Sequence, residues 1–185
     1  MRKALIVAGT GVVITALFFA VRFSARTVVG DIAGTSPSDL PQTTEFLGAD
    51  APYFDLPNLA GDHVALSDFR DTPLIVVFFA TWNSEAIDQL AIIDTYLARE
   101  RTADHLVNIV AINSLEEKSV VSSFMRRGGY RVPTLLDVQG SASEAYRIKG
   151  LPTSFFVDRT GVIQTAYTGV LSERMLVDKI EAVLK

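Results

Sequence analysis

The clearest patterning in the chain is the uninterrupted apolar run Leu74-Ile75-Val76-Val77-Phe78-Phe79-Ala80, rich in β-branched and aromatic residues. It predicts a strand buried on both faces, as at the centre of an α/β sheet. Ser84 to Arg101 follows with Ile87, Leu90, Ala91, Ile93, Asp94 and Leu97 at broadly helical spacing, and Leu106 to Ile112 is a second apolar strand. Together they make a βαβ unit. Upstream, Ala51–Leu56 and His63–Leu66 are short strand candidates flanking the turn-rich Asn58-Leu59-Ala60-Gly61-Asp62, which predicts a hairpin, and Ser67–Asp71 reads as a helical turn or loop. Downstream, Glu116 to Arg127 predicts a helix stopped by Gly128-Gly129, and Val132–Asp137 a strand. Ser141–Ile148 predicts a short helix burying Ala142, Ala145, Tyr146 and Ile148. Thr153–Asp158 and Val162–Tyr167 form a hairpin around Arg159-Thr160-Gly161, and Ser172 caps a closing amphipathic helix to Leu184.

The first residues follow a different pattern. Met1-Arg2-Lys3 precedes an uncharged stretch from Ala4 to Val21, closed by Arg22 and Arg26. As a helix it is about 27 Å long, enough to cross a thin hydrocarbon core. A cleaved signal peptide shares the basic start and apolar middle, but Phe18-Phe19-Ala20 and Phe23-Ser24-Ala25 each put Phe at the −3 position, which favours an uncleaved anchor. A buried core helix is the plainer alternative; the absence of a polar stripe counts against it. The expected organisation is an anchor over 1–23, a Gly-, Ser-, Pro- and Thr-containing linker over 24–46, and one folded domain over 47–185. Flanking charges only weakly favour an extracytoplasmic domain. Small residues such as Gly9 and the Ala4/Ala8 and Ala16/Ala20 pairs could pack helices in the membrane, and oligomeric state stays open.

Composition narrows the chemistry. With 185 residues, about half of them apolar, the chain can bury one sizeable core. A net charge of −4 without a clustered Lys/Arg stripe argues against nucleic acid as a partner. The chain has no cysteine, which excludes disulfides, thiolate metal sites and thiol chemistry by its own side chains. His63 and His105 lie in different segments without companion ligands, so neither a metal nor a cofactor is expected. Asp55, Asp62, Asp68 and Asp71 sit in predicted turns and are expected to be solvated.

The strand ending in Thr81-Trp82, the turn Asn83-Ser84-Glu85-Ala86 entering a helix, and the later Gly150-Leu151-Pro152-Thr153 strand start resemble the thioredoxin-like redoxins, especially the membrane-anchored TlpA/ResA and AhpC/TSA-related group. The resemblance covers residues 47–185. It implies a central mixed β-sheet flanked by helices, with an N-terminal β-hairpin. It also implies that positions 83 and 86 are the family's two cysteine positions, that Pro152 is a cis-proline facing the helix start, and that the backbone of Leu151 pairs with a bound peptide. Two further positions depart from the family: Val77 replaces a polar strand residue, and Gln89 stands where TlpA/ResA-like proteins often carry Glu. Asn83 suits an N-cap, Ala86 a helix interior and Glu85 the positive end of a helix.

These departures lead to the expectation of a membrane-tethered, redox-inactive domain in the cytoplasmic membrane, facing the extracytoplasmic side. It would bind a protein partner through Thr81, Trp82, Asn83, Ser84, Leu151 and Pro152, with no catalytic residue and with Asn83 and Ala86 as degenerate positions. The family context suggests envelope protein folding, cytochrome maturation or oxidase assembly. Competing readings are an oxidoreductase that works with thiols supplied by a partner, a non-thiol enzyme using the helix-start N–H groups, and a spacer with no site.

Overall fold

A computed structural model describes residues 46–100 and 107–184. The anchor expected over 1–23, nearly all of the linker expected over 24–46, and His105 lie outside them. Among the described residues no helix is long and apolar enough to cross a membrane.

The chain runs β1 (Asp55–Pro57), β2 (His63–Ala65), a 3₁₀ turn (Leu66–Phe69), β3 (Leu74–Phe79), α1 (Ser84–Glu100), β4 (Asn108–Ser114) and α2 (Lys118–Gly128). It continues through β5 (Thr134–Asp137), α3 (Ser141–Ala145), β6 (Thr153–Val157), β7 (Ile163–Thr168) and α4 (Glu173–Val183). Five strands form one mixed sheet in the order β5-β4-β3-β6-β7. β3 is its centre, parallel to β4 and antiparallel to β6. β1 and β2 pair separately as the expected antiparallel hairpin, whose turn is held by three N–H groups donating to Asn58 Oδ1. The fold is therefore the thioredoxin-like α/β arrangement implied by the sequence.

Period-two alternation along β3 separates two cores. Ile75, Val77 and Phe79 face a cluster completed by Ala86, Leu90 and Ile93 of α1, Val121 and Met125 of α2, and Leu176 and Ile180 of α4. Leu74, Val76 and Phe78 face Leu56 of β1, Ala142 of α3 and Tyr146. Phe46, placed in the linker by the sequence reading, packs near Phe155 and Tyr146 at centroid separations of 5.9 and 6.5 Å.

Helix ends follow local chemistry. Gly129 takes a left-handed φ of 70° and stops α2, while Ser172 Oγ accepts from Met175 N–H at 3.3 Å and starts α4. Two predicted faces differ from the observed ones. Ile87 and Ala91 point to solvent, because α1 turns Ala86, Gln89, Leu90 and Ile93 inward instead; Ala145 is likewise exposed. Asp55, Asp62, Asp68 and Asp71 are all exposed, as expected; two of them also make local bonds, Asp68 accepting from Ala65 N–H at 2.9 Å and Asp55 pairing with His63 at 2.8 Å.

Candidate functional site

β3, β4 and β5 are parallel, so their C-terminal ends, and the loops leaving them, share one edge of the sheet. At that edge β3 leaves the sheet at Ala80 and enters α1 through Thr81, Trp82 and Asn83. The Asn83 amide is engaged at both ends. Its Oδ1 accepts from the N–H of Glu85 at 2.8 Å, the capping role expected of it, and its Nδ2 donates to the carbonyl oxygen of Leu151 at 2.7 Å. The Leu151–Pro152 bond is cis. The two stretches that define the candidate site, 68 residues apart, are thus joined directly by Asn83.

The remaining predicted residues divide by exposure. Trp82 is 73 % exposed, Ser84 is exposed, and Thr81, Asn83 and Leu151 are half-buried, whereas Pro152 is buried and offers no surface of its own. Ala86 is fully buried against the core under α1. Positions 83 and 86 therefore present one partly accessible side chain and one enclosed side chain on the first turn of α1. Val77 is buried, as its apolar character predicts. Gln89 is also fully buried: its Oε1 accepts from Leu171 N–H at 2.7 Å, while its Nε2 has no partner among the described residues. It stitches α1 to the β7–α4 loop and carries no titratable proton at neutral pH.

Glu116, between β4 and α2, was not anticipated as part of the site. Its carboxylate accepts from the Thr81 N–H and the Thr81 hydroxyl, each at 2.6 Å, and from Asn113 Nδ2 at 2.8 Å. Three donors on one carboxylate tie the β3–α1 loop, which carries Trp82, to the end of β4. Beside it Leu115 has a φ of 63°, a conformation a leucine adopts only at a cost of about 1–3 kcal/mol, and its side chain is 67 % exposed. Val120, in the first turn of α2, is 47 % exposed. An aromatic and two aliphatic side chains thus stand in water along the edge from which α1 and α2 start. The sequence signal for this extension was available: parallel strands bring Leu115 and Glu116 to the same edge as Trp82.

Among the described residues no group of three acidic or histidine side chains is placed to hold a metal.

Residues 47–166 match the model of the AhpC/TSA family. The chain belongs to that family. It is 31 % identical over 133 residues to the thiol-disulfide oxidoreductase ResA of Bacillus subtilis, covering 71 % of this chain and 72 % of ResA. It is 27 % identical over 150 residues to the thiol:disulfide interchange protein DsbE of Pseudomonas fluorescens, covering 79 % of each. Its fold matches the crystal structure of a protein assigned as thiol:disulfide interchange protein DsbE from Chlorobium tepidum. That match has a TM-score of 0.69 and 26 % identity over 75 % of this chain and 98 % of that one. StoA of Bacillus subtilis, at 20 % identity and a TM-score of 0.62 over 70 % of this chain and 96 % of that one, shares the fold. This AhpC/TSA member is thus a thioredoxin-like redoxin related to ResA and DsbE, and it carries no cysteine.

Proposed function

We propose that this redoxin-family protein is a redox-inactive binding module of the cell envelope. The apolar segment over 1–23 tethers it to the cytoplasmic membrane, and its domain faces the extracytoplasmic side. Trp82 and Leu115 engage a protein partner beside the Asn83–Leu151 junction. The observation that carries this reading is Asn83 itself. A residue that caps α1 and bonds the loop before Pro152 is integrated into a stable helix start, and with no cysteine the chain has no thiol to exchange. Exposed Trp82 and strained, exposed Leu115 supply the kind of aromatic and aliphatic anchors around which binding energy concentrates. The names of ResA and DsbE support a setting in disulfide chemistry, here as a participant that holds a partner without reacting with it.

The test is affinity capture from membranes with the full-length protein, comparing wild type with Trp82→Ala and Leu115→Asp. Both substitutions fall on exposed side chains, so the fold should persist and a specific partner should be lost from both. Retention of every partner by both variants would place the binding surface elsewhere. In parallel, insulin reduction by the wild-type protein should stay at background.

A further inference from the structure

We infer that Asn83 is a specificity-determining latch: its side-chain amide fills the acceptor through which an extended chain would add to the start of β6, restricting this face to partners recognised through side chains. The inference rests on the partner-face reading above. The β3–β6 ladder runs from Leu74 opposite Val157 to Phe78 opposite Thr153. Continuing that register sets Leu151 opposite Ala80, where β3 ends and the chain turns into α1. Among the described residues no strand lies there to pair with Leu151. Pro152 has no N–H and its carbonyl accepts from the Gly169 N–H at 2.8 Å, so Leu151 supplies the next unladdered main-chain donor and acceptor. Its N–H has no hydrogen-bond partner among the described residues. Its carbonyl is taken by Asn83 Nδ2 at 2.7 Å. The site is half of a strand-addition point, with a free donor and a filled acceptor.

The filled half depends on asparagine chemistry. The Oδ1 of the same amide holds the Glu85 N–H at 2.8 Å, so a flip of the planar group would lose both bonds and set oxygen against oxygen. Aspartate keeps the cap but has no donor for the Leu151 carbonyl. Serine caps equally well and is too short to bridge to it. An extended peptide adding here must first break the Asn83–Leu151 bond, and the net worth of such a bond makes that a penalty of about fivefold to tenfold in affinity. A folded partner that reads Trp82 and Leu115 bears no such penalty.

The test uses full-length protein in detergent micelles and a fluorescein-labelled, cysteine-free peptide of alternating valine and threonine, followed by anisotropy. Asn83→Ser and Asn83→Asp remove the donor and keep the cap; matching circular dichroism spectra and melting temperatures confirm folding. Both variants should bind the peptide at least about fivefold more tightly than wild type. In wild type, the Asn83 side-chain amide protons should exchange slowly with solvent. Equal affinities, or no peptide binding to either variant, would overturn the latch. The partner face is read separately: partner loss in Trp82→Ala alongside unchanged peptide affinity in Asn83→Ser refutes the latch alone. A partner retained by Trp82→Ala alongside tighter peptide binding by Asn83→Ser refutes the partner face alone.

Discussion

Replacing Gln89 by glutamate would put a carboxyl group of nearly the same shape where the site has a neutral amide, and the response to pH should reveal the missing proton machinery. The side chain is fully buried, and one donor, the Leu171 N–H, reaches it. Full burial raises a carboxyl pKa by up to about 3–5 units, and a single donor offsets part of that. A net rise of about three units corresponds to about 4 kcal/mol of destabilisation once the folded-state group ionises, at 1.36 kcal/mol per unit. The sign follows from linkage. The folded-state pKa lies above the unfolded value near 4.3, so the unfolded state releases its proton first as pH rises. The penalty is small below about pH 4, grows by about 1.4 kcal/mol per pH unit above it, and levels off beyond the folded-state pKa. Urea unfolding followed by far-ultraviolet circular dichroism at several pH values from 4 to 8 measures it; Trp82 fluorescence is a poor probe because that side chain is already largely in water. A difference between Gln89→Glu and wild type that stays constant across this range would refute the claim that position 89 is dry and reached by a single donor.

Other consequences can be checked with the same purified protein. Asn83→Cys with Ala86→Cys should form an intramolecular disulfide on oxidation, read as loss of titratable thiol, because the backbone keeps one accessible and one enclosed position on the first turn of α1; persistent free thiols would show that the turn has lost the family geometry. Tyr146→Phe should be within about 1 kcal/mol of wild type or more stable in urea, since the hydroxyl it removes is buried without a partner among the described residues; a loss above about 2 kcal/mol would mean that this hydroxyl is bonded. Glu116→Ala strands the Thr81 N–H, the Thr81 hydroxyl and the Asn113 amide, and should cost about 2–3 kcal/mol in the same assay. A negligible loss there would show that the loop carrying Trp82 is held by something else.

What the sequence made legible depended on how local the cause was. The run from Leu74 to Ala80 could only be a doubly buried strand, Gly128-Gly129 could only end a helix, and Ser172 capped α4 as its position predicted. The inward face of α1 was harder to read. Apolarity pointed to Ile87 and Ala91, but the helix buries polar Gln89 instead, because Leu171 offers it an N–H that lies 82 residues away. Ala145 failed for a related reason: a methyl group is small enough to sit on either side of a short helix. The resemblance carried the site as far as positions 83, 86, 151 and 152. Only the fold showed that Asn83 bonds Leu151, and that Glu116 joins the Trp82 loop to the end of β4.

The central claim is that the sheet edge around Trp82 holds a protein partner without thiol chemistry. It is tested most directly by in-cell photo-crosslinking from a photoreactive residue at position 115, with position 53 as the control. Leu115 stands beside the Glu116 tether of the Trp82 loop, whereas Tyr53 is 65 % exposed in a groove near the start of β3, at the other end of the sheet. The expected result is a discrete protein adduct from position 115 that survives reducing agent, disappears in Trp82→Ala and is absent from position 53. The same adduct from both positions, or one from position 115 that persists in Trp82→Ala, would contradict it.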